Sequence, residues 1–234
     1  MKLCLEDILQ AVNGKCLNPD TLKGEKQIND IVTDSRAITK ASLFVPLKGE
    51  NFDGHVFIKD VYDKGSIATL TMNEEVVDPR LCTILVQDTG KALLDLGHFY
   101  RKKFNIPVIG ITGSVGKTST KEIIAAILSG HYKVHKTEGN YNNEIGVPLT
   151  LFKLRAEHEV AVIEMGMNHF GEIHNLSYAA SPTMGVITNI GTSHIENLGS
   201  REGILKAKLE ILDGMTEDGK LIVCGDNDLL GKLS

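Results

Sequence analysis

The stretch Val108-Ile109-Gly110-Ile111-Thr112-Gly113-Ser114-Val115-Gly116-Lys117-Thr118-Ser119-Thr120 constrains the fold more than any other part of the chain. An apolar run from Ile106 to Ile111 enters a Gly-rich turn. The turn enters a segment with Ile123, Ile124, Ile127 and Leu128 at helical spacing. Strand, loop, helix is the order that a phosphate-binding loop requires. Its glycines let the backbone close on an anion, and the loop amides and helix N-terminus face that anion. The cradle here is Thr112, Gly113, Ser114, Val115, Gly116, Lys117, Thr118 and Ser119. Lys117 is placed to reach the phosphates of ATP, and the Thr118 hydroxyl to ligate Mg²⁺. The strict pattern has glycine where Ile111 stands, so the motif is Thr-Gly-x-x-Gly-Lys-Thr. Gly110, Gly113 and Gly116 are spaced three apart, which does not make the G-x-G-x-x-G of dinucleotide sites.

The flanking segments predict an α/β protein. Residues 5–13 have Leu5, Ile8, Leu9 and Val12 on one helical face, stopped by Asn13-Gly14. Strands are expected at Ser42–Leu47, Ile67–Leu70 and Cys82–Val86, and a helix at Phe57–Lys64 stopped by Gly65. Residues 1–86 therefore read as a small α/β domain. Residues 89–104, with Leu93, Leu96, Tyr100 and Phe104 on one face, read as a junction helix opening a second domain at 87–234. In that domain strands are expected at Lys133–Lys136, Val160–Ile163, Gly185–Thr188 and Leu221–Cys224. Residues 137–148, rich in Asn and Gly, read as a loop. Continuous apolar strands alternating with helices indicate a parallel sheet covered on both faces.

In an open parallel sheet the loops that leave the strands' carboxyl ends form the ligand crevice. The phosphate loop, Glu164 and the Asn189–His194 loop all follow strand ends, so they are expected to converge. Glu164 suits Mg²⁺, which prefers oxygen donors; His194 is a less typical ligand. An ion pair for Glu164, or a backbone-bonded loop histidine for His194, is the alternative. In the first domain, Asp34-Ser35-Arg36 and the loop Lys48-Gly49-Glu50-Asn51-Phe52-Asp53-Gly54-His55 carry charge and hydrogen-bonding groups fit for an anion or a sugar. Asp-Ser-Arg equally suits an ordinary turn.

With net charge −5, nothing points to nucleic acid or an anionic membrane as partner. No apolar run has the length of a membrane span. The N-terminus, Met1-Lys2-Leu3-Cys4-Leu5-Glu6-Asp7, has acids where a signal peptide needs apolar residues. Cys4, Cys16, Cys82 and Cys224 are scattered and read as free thiols, mostly core filling, in a cytoplasmic protein.

Taken together, these stretches resemble the Mur ligases, the ATP-dependent amide-forming enzymes of peptidoglycan synthesis. The resemblance rests on Thr112–Thr118, Asn142-Asn143-Glu144-Ile145-Gly146-Val147-Pro148, Asn189-Ile190-Gly191-Thr192-Ser193-His194 and Lys206-Ala207-Lys208-Leu209-Glu210-Ile211. Asp34-Ser35-Arg36 and Gly49 through His55 resemble the family's UDP-sugar domain. Glu164-Met165-Gly166-Met167-Asn168 looks like the member that joins D-Ala-D-Ala to UDP-MurNAc-tripeptide. The resemblance implies two Mg²⁺ sites, held by Thr118, Glu164 and His194. It implies catalytic roles for Lys117, His194, Asn142 and Asn143, and for Lys208 as a carbamate formed with carbon dioxide. Without the family pattern, Lys208 reads as a surface lysine. Asp34, Ser35, Arg36, Lys48, Gly49, Asn51, Asp53, Gly54 and His55 are implied in holding the UDP substrate. The family has three domains, so this chain is expected to be a fragment ending in or near the central one, and to be a monomer. The ligase that adds the third residue, a folate-type amide ligase, or a non-catalytic nucleotide and UDP-sugar binder are the alternative readings.

Overall fold

The computed structural model describes residues 3–22 and 26–233, so the reading made on Met1 and Lys2 lies outside the described residues. The chain divides into two compact units, Met1–Leu96 and Gly97–Ser234.

The first unit opens with β1 (Leu3–Cys4) and α1 (Leu5–Val12). Cys4 and Asp7 cap α1 reciprocally, each side chain accepting the other's backbone N–H. Leu5, Ile8 and Val12 form its buried stripe, and Asn13, at φ 46°, ends it as expected. Then come β2 (Lys15–Cys16), β3 (Gln27–Ile28), β4 (Asp30–Val32), β5 (Ser42–Phe44), α2 (Ile58–Val61), β6 (Ser66–Thr71) and β7 (Cys82–Leu85). β1 pairs with β3, and a five-stranded sheet runs β2-β7-β6-β5-β4. In it β4 to β7 are mutually parallel and β2 is antiparallel. The strand expected to reach Leu47 ends at Phe44, beyond which Lys48 bridges Asp53 across a tight loop. The helix expected at Phe57–Lys64 is shorter. A 3₁₀ turn, Gly54–Phe57, leads into α2 because the Asp53 carboxylate caps His55 there.

Helix α3 (Thr89–Arg101) contains the division between the units. It stops three residues before the expected end. The Arg101 guanidinium, buried, donates to the carbonyls of Phe104, Ile106 and Ala180, which turns the chain out of the helix.

The second unit is built on β8 (Val108–Thr112), with all five residues buried. It continues through α4 (Lys117–Leu128), β9 (Val134–Lys136), α5 (Gly146–Leu151), β10 (Val160–Glu164), α6 (Glu172–Ala180), β11 (Met184–Ile187), α7 (Ile195–Leu198), α8 (Arg201–Leu209) and β12 (Lys220–Val223). The sheet runs β12-β11-β8-β10-β9, every pair parallel. The chain fills one side of β8 with β9 and β10, then crosses to fill the other with β11 and β12. β8 is therefore the switch point, where an open sheet leaves a crevice at its carboxyl edge.

Two readings are corrected. Gly146-Val147-Pro148, expected in a loop, is the first turn of α5. A proline loses nothing there, since N-terminal amides of a helix have no intrahelical partner. Ile123 and Ile127, read as part of the apolar stripe of α4, are exposed. The stripe that packs on Ile109, Ile111, Val160 and Val162 is Ile124, Ala125 and Leu128.

Ile111 is fully buried in that cluster. Ile111→Ala should destabilise the second unit by about 2–5 kcal/mol, the cost of an unfilled core site. Hydrogen exchange of the β8 amides should accelerate accordingly, with amides of the first unit unchanged.

Candidate functional site

Parallel neighbours β11, β8 and β10 deliver three loops to one edge, with Ile187 opposite Thr112 and Glu164 opposite Ile111. The loop after β8 is fixed by contacts from the loop after β11. Asn189 Oδ1 accepts the amides of Ser114 and Val115 at 3.1 and 3.0 Å. Thr188 Oγ1 donates to the Val115 carbonyl, and Ser114 Oγ accepts the Gly191 amide. Gly113 has φ 152°, and a Cβ there would lie 1.9 Å from Thr188 Oγ1. Gly116, at φ 80°, caps α4. The glycines thus serve a tight turn and a close approach of backbone. Lys117 folds back so that Nζ donates to the Gly113 carbonyl at 2.9 Å. Val115, Thr118 and Ser119 are exposed, and Thr112 is buried beneath the loop.

Glu164 is 2% exposed, so it is no surface ion-pair residue. Its Oε1 accepts the Thr118 hydroxyl at 3.2 Å and the Asn142 amide at 2.9 Å. Its backbone N–H donates to Thr137 Oγ1. Its Oε2 is buried and has no hydrogen-bond donor. A hydroxyl and a carboxylate with an unused buried oxygen form the hard oxygen donor set that suits Mg²⁺. Asn143 does different work: its Oδ1 accepts the Gly146 amide and shapes the entry to α5. His194 lies exposed at the start of α7 with a left-handed backbone, φ 64°. Among the described residues no group of three or more His, Cys, Asp or Glu is disposed to hold a metal.

Lys208 is 2% exposed on α8, not a surface lysine. Burial, and secondarily the nearby Lys117 charge, bring its amine down to about 7. Burial also lowers Lys117, against the pull of Glu164.

Sequence reasoning missed Lys121, which is 1% exposed, with Nζ 3.6 Å from Glu164 Oε2. The signal was available. Lys121, Ala125 and Leu128 follow helical spacing, so Lys121 is a charge on the inward stripe, a place lysine occupies only when paired. Asn189, whose Oδ1 holds the phosphate-loop amides, is the other residue that residue type alone does not single out.

In the first unit β4 and β5 are parallel neighbours, so Asp34–Arg36 and Lys48–His55 leave the same sheet edge. Arg36 and Asp34 form a two-pronged pair that holds the Asp34 carboxyl down at about 2. Ser35 is buried, and its carbonyl accepts Lys64 Nζ. His55 has both ring nitrogens engaged. Nδ1 lies 2.6 Å from Asp53, and Nε2 accepts the Met72 amide, which fixes the tautomer with the proton on Nδ1. Gly54 is buried, and a Cβ there would press on the Leu47 backbone at 3.0 Å. Arg36, Lys48, Gly49 and Asn51 are exposed above this framework. All four cysteines are free, but only Cys82 is buried core.

Two measurements test this geometry. Asn189→Ala should speed exchange of the Ser114 and Val115 amides by about tenfold or more, as expected when a net bond worth roughly 1 kcal/mol or more is lost. Lys208→Met should show the sign of the buried amine. Below pH 7 folded and unfolded states both carry the charge, and the folded state bears its burial cost. Between pH 7 and 10.5 the folded state has shed the proton while the unfolded state keeps it, so stability of the natural chain rises with pH. The stability advantage of the methionine variant, on the order of 4 kcal/mol at low pH, should therefore shrink steadily across that window in thermal unfolding.

Residues 111–233 match the Mur ligase middle domain, and residues 27–148 match the Mur ligase family, catalytic domain. The chain is 46% identical over 232 residues to the UDP-N-acetylmuramoyl-tripeptide--D-alanyl-D-alanine ligase of Bacillus subtilis, covering 98% of this chain and 50% of the relative. It is 42% identical over 214 residues to the Escherichia coli ligase of the same name, covering 89% and 47%. Among solved structures it superposes on MurF from Acinetobacter baumannii with TM-score 0.91 at 36% identity, covering 99% of this chain and 51% of that one. It also superposes on the MurF ligase from Thermotoga maritima in complex with ADP, with TM-score 0.81 at 34% identity, covering 87% and 47%. The chain spans about half the length of the curated relatives it matches. With family models matched across both units, the chain belongs to the Mur ligase family.

Proposed function

We propose that this chain carries the UDP-substrate and nucleotide sites of a cytoplasmic ATP-dependent ligase that joins D-Ala-D-Ala to UDP-MurNAc-tripeptide. The observation that carries the reading is the buried Glu164 carboxylate. It is bonded to Thr118 and Asn142, and one Oε2 is left open beside the phosphate loop. The names of the relatives favour D-Ala-D-Ala over addition of the third residue.

The reaction begins with attack of the tripeptide's terminal carboxylate on the γ-phosphorus of ATP, which gives an acyl phosphate and ADP. The amine of D-Ala-D-Ala then attacks the acyl carbon, and phosphate leaves. The first step sets two anions against each other, so its barrier falls only if cations and positioned donors meet the charge that develops. Lys117, released from the Gly113 carbonyl, supplies one such cation within reach of the β- and γ-phosphates. The amides of Gly116 through Ser119 and the α4 N-terminus supply fixed dipoles. Thr118 and Glu164 would hold Mg²⁺, which when bound would supply positive charge against the negative charge of the phosphates. Asn142 keeps Glu164 oriented, and His194 would join a second metal position.

Lys208 fits the carbamate role. Its amine is uncharged in a large fraction of molecules at neutral pH, the form that attacks carbon dioxide. The new N–C bond yields a carbamic acid that releases one proton, so the neutral amine beside Lys117 becomes an anion. In the first unit, Arg36 and Lys48 would meet the diphosphate and Asn51 the sugar or base. Asp53, Gly54 and His55 hold the loop that presents them.

Calorimetry on this chain tests the reading. ATP with Mg²⁺ should bind, and Lys117→Ala should weaken that binding by about 10²-fold or more, the scale of one lost phosphate contact. UDP-MurNAc-tripeptide should bind equally to both proteins, and Arg36→Ala should weaken it. Unchanged ATP binding in Lys117→Ala would remove Lys117 from the nucleotide site.

A further inference from the structure

Lys121 has no part in the reaction as proposed, yet it is one of the largest fully buried side chains in the protein. It projects from the inward face of α4, one turn after Thr118. Its Nζ lies 3.3 Å from Glu122 Oε1 and 3.6 Å from Glu164 Oε2. Glu122 in turn pairs with Lys136. The row Lys136, Glu122, Lys121, Glu164 thus alternates in sign and sums to zero.

A pair retained only for structure would be expected to close into a hydrogen bond. Here Glu164 Oε2 has none. Its nearest cation stands at the distance of an ion pair, and its lone pairs remain free. Removing a buried carboxylate from water is costly unless a counter-charge stands near. Lys121 provides that charge without using up the oxygen.

We propose that the Lys121 ammonium holds the place of a divalent cation beside Glu164 until a nucleotide brings one, and so ties metal entry to nucleotide entry. The inference rests on the nucleotide function proposed above and makes Lys121 a positioning residue. A bare divalent ion approaching Glu164 meets a carboxylate already neutralised, with Lys117 also nearby. The same ion arriving with polyphosphate brings its own negative charge, and the repulsion from both lysines becomes attraction. A single unit charge within a few ångströms changes the affinity for a divalent ion by about tenfold or more.

The test is titration of the 234-residue chain and its variants with MgCl₂ alone, and with MgCl₂ plus ADP, read by calorimetry and thermal unfolding. In the natural chain Mg²⁺ alone should not stabilise the fold, and Mg²⁺ with ADP should. Lys121→Met leaves Glu164 uncompensated, so it should bind Mg²⁺ alone at least about tenfold more tightly than the natural chain. Lys121→Arg keeps the charge and should behave like the natural chain. A purely structural lysine would instead lower the melting temperature of Lys121→Met in every buffer and leave its Mg²⁺ affinity unchanged, which overturns the inference. Should Lys121→Met not fold, the natural chain decides: Mg²⁺ binding as tightly without ADP as with it overturns the proposal. Absence of ADP binding by the natural chain overturns the nucleotide function itself. ADP binding together with an unchanged Mg²⁺ response in the methionine variant overturns this inference alone.

Discussion

A carboxylate at 2% exposure cannot stand alone, and the second unit is arranged around that constraint at Glu164. Its position at the end of β10 follows from the parallel register with β8, which brings it level with the start of the phosphate loop. Its partners come from two segments: Thr118 and Lys121 on α4, and Asn142 in the loop after β9, where Thr137 also accepts the Glu164 backbone N–H. Each hydrogen bond made to a charged oxygen is worth roughly twice a neutral one. The carboxylate therefore fixes the angle of α4 and the path of residues 137–143 together.

The opposite problem arises a few residues away. Lys117 and Lys208 repel each other in a half-dry site, and burial alone already weakens both charges. Cationic excess near a nucleotide favours polyphosphate; cationic excess between buried lysines penalises the empty site. The energetic reason for Lys208 to shed its charge is thus present in the fold before any substrate arrives.

Much of this was legible in the sequence. Apolar runs located β8, β10 and β11 to within a residue or two. The rule that ligands gather at the carboxyl edge joined Thr118, Glu164 and the Asn189 loop across a wide sequence separation. What failed were readings in which periodicity alone was asked to tell inside from outside. Ile123 and Ile127 are as apolar as Ile124, and only the sheet's position shows that they face away. Lys121 illustrates the converse: its residue type points to solvent, while its spacing with Ala125 and Leu128 points to the core. Asn-rich residues 140–145 did form a loop. The helix beginning at Gly146 escaped because a glycine and a proline seldom open one so close together. His55 could not be separated from its loop-mates by residue type, because its commitment to Asp53 and Met72 depends on a strand distant in sequence.

The narrow gap between Gly113 and Thr188 has a consequence for how such a chain can change over generations. Any side chain at residue 113 collides with the Thr188 hydroxyl at 1.9 Å, and that hydroxyl is itself bonded to Val115. Shortening residue 188 first would free the space but release the loop; lengthening residue 113 first would displace it. Neither single step is neutral, so drift at these two positions is blocked unless both move at once. The two loops are inherited as one unit, although 75 residues separate them in the chain.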